Sequence, residues 1–227
     1  KAKEFIRIIC DAQTENGYLD TLYIINDIDK AFTNLHEHHE LYCFGHLAEA
    51  AISIYHATKD DRLLIAAYRF ADLICETFCP NGKRGYDGHE IAEMALVKLY
   101  RESGNQKYLQ TARFMVEERG KKPYYFDSER GKETDGRDYV YNQAHCPPKE
   151  QREAVGHAVR GVYLYSAMAD LAKEFEDTQL EQACKSIWEN IANKKLYITG
   201  GIGATVHGEA FSFDYDLPND LAYAETC

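Results

Sequence analysis

A chain of 227 residues, 45% hydrophobic and 28% charged, is long enough for one large core or two modest ones and too apolar to be disordered. Its formal charge of −11 argues against nucleic acid or an anionic membrane as the main partner, since both call for a basic surface. No run of about eighteen apolar residues is present to span a bilayer. Seven cysteines, an odd number scattered from Cys10 to Cys227, do not form a secreted disulfide framework, so a reducing, cytoplasmic compartment is expected.

Residues 1–13 carry Phe5, Ile8, Ile9 and Ala12 at i, i+3, i+4 and i+7, which predicts an amphipathic helix ended by Asn16-Gly17. Leu19 to Ile25 reads as a short strand or an extended loop. A long apolar helix is expected from Leu41 to about Thr58. From there a repeat emerges: Tyr55, Tyr100 and Leu171 are each followed by Leu at nine residues and Ala at twelve. A short polar connector lies between the helices each time, with Asp60, Asn105 and Asp177 as N-caps of the second helix. The pattern predicts three helical hairpins, 41–58 with 60–79, 89–103 with 105–119, and 152–174 with 178–193. Cys75 and Cys79 fall on one helix face and read as small core residues.

The segments 80–88, 120–151 and 194–222 are rich in Gly, Pro, Tyr and Asp, and connections of that length are usually functional. Each leads into or follows a hairpin, the arrangement of an all-α fold in which inner helices ring a centre and long loops build a cleft. His39 (with His46 close behind), His89 and His157 lie at or near the first helix of successive hairpins. There the positive end of the helix dipole favours a neutral imidazole, a good partner for sugar hydroxyls. Local capping is the alternative for each. The closing run holds Glu209 beside small residues and then Glu225-Thr226-Cys227, a carboxylate and a thiol able to turn toward one metal ion on an extended backbone. A helix start with a buried cysteine is the competing reading of the last three.

Several motifs resemble glycoside hydrolase family 127. They are His39-Glu40-Leu41-Tyr42 with Gly45-His46-Leu47, Gly88-His89-Glu90-Ile91, Gly156-His157-Ala158-Val159-Arg160, and the closing run from Gly208-Glu209-Ala210-Phe211 through Leu217-Pro218-Asn219-Asp220 to Tyr223–Cys227. The family includes bacterial β-L-arabinofuranosidases. The resemblance implies an (α/α)6 toroid, of which residues 1–227 are part of one catalytic domain cut at both ends. It implies a zinc ion held by a glutamate and three cysteines, one cysteine being the nucleophile. Carried over by motif, Glu225 and Cys227 are zinc ligands, Glu209 is the general acid/base, and His39, His89 and His157 line the sugar subsite. Gln13, in a Gln-x-x-x-Gly-Tyr-Leu context, joins them. The family's adjacent cysteine pair has no counterpart in this sequence and is expected downstream. The alternatives are an α/α-toroid enzyme acting on another sugar and a helical-repeat module that binds without catalysis.

Overall fold

The computed structural model describes residues 1–220, and the chain divides into two compact units, Lys1–Met115 and Val116–Cys227. In the first unit, α1 (Ala2–Asp11) is the helix expected, but Phe5 and Ile8 face outward while Ile6 is buried. The register of α1 is set by its packing on α4, where the Cys10 thiol donates to the Arg62 carbonyl. Residues 19–25 are not a strand. The Asp20 side chain accepts from the Leu22 amide and starts a turn of helix, α2 (Thr21–Asn26), so a cap overrides the β-preference of Tyr23-Ile24-Ile25.

The first predicted hairpin is α3 (Glu40–Thr58) and α4 (Arg62–Thr77), and α3 packs on both α4 and α5 (Ala92–Ser103). Leu41, Phe44, Gly45, Ala48 and Ala51 form its buried stripe at helical spacing. Lys59, in the left-handed region at φ 60°, ends α3. Asp61 takes the cap position expected of Asp60, although Asp60 Oδ1 does accept from the Arg62 amide at 3.3 Å. Gly104 (φ 74°) ends α5, and Asn105 accepts from Lys107 at the start of α6 (Gln106–Glu118). Tyr18, Phe32, Phe44, Phe70 and Phe78 meet largely edge-to-face in the core of this unit.

The second unit opens with two short helices inside the segment expected as loop, α7 (Tyr125–Arg130) and α8 (Gly136–Tyr141). Asp135 caps α8 by accepting from the Arg137 amide at 2.9 Å. The hairpin α9 (Ala158–Glu174) and α10 (Thr178–Asn190) follows as predicted, with Asp177 Oδ1 accepting from Leu180 at 3.1 Å. After α10 the chain runs through a glycine-rich loop whose Ala210 forms an isolated antiparallel bridge with His157. No helix among the described residues is long and apolar enough to cross a membrane.

Candidate active site

Glu209 and His157 are brought together in the second unit. Residues 156–158 run between two backbone partners. On one side the His157 amide donates to the Tyr141 carbonyl at 3.1 Å. On the other, Ala158 donates to the Glu209 carbonyl at 2.9 Å and Phe211 donates to the Gly156 carbonyl at 2.8 Å. Gly156 (φ 71°) is required here, because a Cβ would lie 2.2 Å from the Val140 oxygen and 2.5 Å from the Tyr141 oxygen. Gly208 (φ 78°) is under similar constraint from the Tyr141 ring, and Glu209 itself takes φ 46°. Two successive left-handed residues aim the carboxylate, so its direction comes from the backbone as much as from its rotamer.

His157 caps α9, its Nδ1 accepting from the Arg160 amide at 3.3 Å. A neutral imidazole with Nδ1 as acceptor carries its proton on Nε2, and Nε2 lies 3.5 Å from Glu209 Oε2. The imidazole is buried and the carboxylate side chain is half exposed, at 55%. Burial first, then the Arg160 guanidinium, pushes the His157 pKa down to about 4. The neutral state expected at a helix start is present, with desolvation as its leading cause. Arg160 donates through Nη1 to Asn142 Oδ1 at 2.5 Å and lies 4.9 Å from the Tyr141 ring centroid. The Gln143 amide donates to the carbonyls of Val155 and His157, at 2.7 and 3.1 Å.

In the first unit His39, Tyr42, His46 and His89 form one aromatic group. Ring centroids are 5.6 Å apart for His39 and His89, 4.4 Å for Tyr42 and His89, and 4.4 Å for Tyr42 and His46. His39 occupies the N-cap position of α3, and Tyr42 and His46 follow at helical spacing. His39 and His46 therefore both reach this group, with Tyr42 as its hub. His89 is held by its neighbour Gly88, whose amide donates to the Leu35 carbonyl at 2.9 Å. Gln13 is engaged in the fold: Nε2 donates to the Gly17 and Ala66 carbonyls, each at 2.8 Å, and Oε1 accepts from Arg69 at 2.9 Å. Both amide hydrogens are thereby used, and what remains for a ligand is the second lone pair of Oε1.

Among the described residues no group of three or more His, Cys, Asp or Glu side chains is placed to hold a metal ion. The two expected zinc ligands, Glu225 and Cys227, lie outside the described residues. Sequence reasoning gave no role to Tyr42, Tyr141, Asn142 or Arg160. Arg160 stands in the motif that carries His157, and Tyr42 follows His39 by three residues, which places both rings on one helix face.

The sequence profile of the β-L-arabinofuranosidase GH127 catalytic domain matches residues 1–227. The chain belongs to glycoside hydrolase family 127. Among its GH127 relatives, a non-reducing end β-L-arabinofuranosidase from Bifidobacterium longum subsp. longum is 37% identical over 237 residues, covering 98% of this chain and 36% of that protein. The crystal structure of a GH127 β-L-arabinofuranosidase from Geobacillus stearothermophilus T6 superposes with a TM-score of 0.93 at 46% identity, over 98% of this chain and 36% of the other. A second GH127 β-arabinofuranosidase gives a TM-score of 0.85 at 42% identity, over 98% and 34%. The hairpins are thus those of the GH127 (α/α)6 toroid fold. The chain spans roughly a third of the length of the GH127 proteins it matches.

Proposed function

We propose that the full-length protein is a retaining glycosidase that releases L-arabinofuranose from β-L-arabinofuranosides, with Glu209 as its acid and then its base. The observation that carries this reading is the pairing of a half-exposed carboxylate with a buried, neutral imidazole at 3.5 Å, on a backbone that dictates where the carboxylate points. Such a carboxyl can give a proton to the leaving glycosidic oxygen and later take one from the attacking water. His157 holds the acid in place in both steps. His39 and His89, with Tyr42 between them, are the imidazoles assigned to sugar hydroxyls.

By the family resemblance the nucleophile is a cysteine from beyond this chain, taking the part that a second carboxylate plays in most retaining glycosidases. Glu225 and Cys227 are assigned to the zinc ion, whose role when bound is to keep thiolate sulfur ionised. The activity of the two named arabinofuranosidase relatives supports the choice of sugar.

The test is Glu209→Gln in the full-length protein. Turnover of a β-L-arabinofuranosyl disaccharide should fall by about 10² to 10⁴-fold, while melting temperature and zinc content stay at wild-type values. Near wild-type turnover of that disaccharide would remove Glu209 from the reaction.

A further inference from the structure

Arg160 lies outside the roles assigned so far, yet it holds three residues and ties the start of α9 to the end of α8. Its backbone amide holds His157 Nδ1, its Nη1 donates to Asn142 at the C-terminal end of α8, and its guanidinium lies over the Tyr141 ring. Tyr141 in turn accepts the His157 amide and packs against the site of Gly208, the residue before Glu209. Asn142 is fully buried and is itself held from two sides. Its Nδ2 donates to Asp138, at 2.9 Å to the carbonyl and 3.2 Å to Oδ1, and its carbonyl accepts from buried Arg119 at 3.0 Å. Asp138 pairs with Arg130 at 3.2 Å. The clamp is thus anchored by Arg119 and by the Asp138–Arg130 pair.

Resting on the acid/base reading of Glu209, we propose that Arg160 is a positioning residue for that carboxyl. By clasping Tyr141 and Asn142 against the start of α9, it fixes the imidazole so that Nε2 faces Glu209 Oε2. The groups that act on the imidazole include the Glu209 carboxylate from the loop, the charge of Arg160 from α9, and the Tyr141 ring from α8, whose centroid lies 5.6 Å from that of His157. A guanidinium suits this place because it is planar and donates in a fixed fork. An ammonium on the same stem offers charge without the flat face.

A residue that positions an acid differs in its kinetics from one that merely holds the fold. Protonation matters for a poor leaving group and little for a good one. The experiment compares kcat/KM, which reports the glycosylation step, for a β-L-arabinofuranosyl disaccharide and for a nitrophenyl β-L-arabinofuranoside, in full-length wild type, Arg160→Met and Glu209→Gln. Arg160→Met should lose about 10- to 100-fold on the disaccharide, the usual cost of misplacing a reacting group by an ångström. It should lose less than ~3-fold on the nitrophenyl substrate, whose leaving group needs little protonation.

Equal losses on the two substrates, or no loss on either, would overturn the assignment of Arg160 while Glu209→Gln keeps its leaving-group dependence. If Glu209→Gln shows no such dependence, the acid/base reading fails and the role of Arg160 fails with it. Should Arg160→Met not fold, Arg160→Lys is read in its place. Lysine keeps the charge, so the same selective loss is expected at about 3- to 10-fold; wild-type values on both substrates would sink the proposal.

Discussion

Glu40, the first residue of α3, is fully buried and accepts two hydrogen bonds on one oxygen, from the Tyr18 hydroxyl at 2.5 Å and the Phe32 amide at 2.8 Å. Burial raises its pKa from 4.5 to about 7, against the pull of those two bonds and of Lys83, which donates to the Phe32 carbonyl. The fold therefore prefers the neutral acid. Its contribution to stability is complete below pH 4.5 and is lost as pH rises through 7. At about 1.4 kcal/mol for each pH unit, the loss between pH 4.5 and 8 comes to roughly 3 kcal/mol. Glu40→Gln keeps an acceptor for both bonds and cannot ionise, so the variant should gain about that much on wild type over the same interval. A constant offset from the amide hydrogens placed where Oε2 was drops out of the comparison. Hydrogen exchange of the α3 amides in the full-length protein, at several pH values, reads the local opening free energy directly. A difference between variant and wild type that stays flat with pH would refute the buried-acid account.

The remaining expectations concern the second unit. Asp177→Ala removes the cap of α10 and the 2.6 Å partner of Lys149, and should cost about 1–2 kcal/mol at neutral pH, seen as a lower melting temperature. Burial pushes the Asp177 carboxyl up, but Lys149 and the Leu180 amide outweigh it and hold the pKa below 3.8. Its contribution is present above that value and fades as pH falls through the lowered pKa, so the two melting curves should approach each other in acid. Gly156→Ala should cost about 3 kcal/mol, because the new methyl meets two carbonyl oxygens in a left-handed backbone. Gly131→Ala, also left-handed (φ 66°) but with nothing within 4 Å, should cost only about 1 kcal/mol. Equal costs would mean that the strain lies in φ alone. The losses expected for Glu209→Gln and Arg160→Met complete the set.

The hairpins were legible because each helix buries a stripe at a spacing that the chain repeats, as Leu64 with Ala67 and Leu180 with Ala183 do. What periodicity cannot carry is the choice between a stripe and its neighbour: in α1, Ile6 turned inward, and Phe5 and Ile8 of the predicted stripe did not. Local propensity misled at residues 21–26, where one aspartate cap decided the outcome. The meeting of Glu209 with His157 was foreshadowed by family motifs and by the expected gathering of the inter-hairpin loops, since the 51 residues between them erase any spacing rule. Arg160, Asn142 and Tyr141 were visible as letters, and their joint role exists only once α8 lies against the start of α9. Gln13 shows the converse. A motif singled it out, and the fold uses its amide to tie residue 17 to α4 and Arg69.

The bridge between His157 and Ala210 has an engineering consequence. Gly208 and Glu209 reach that bridge through two left-handed residues in succession, so inserting a residue between Gly208 and Ala210 would break the turn that aims the carboxyl. Length changes near fully exposed Ile198 carry no such penalty. Anyone grafting a different loop onto this scaffold has latitude in its outer arc and none in the few residues that lace it to the helix.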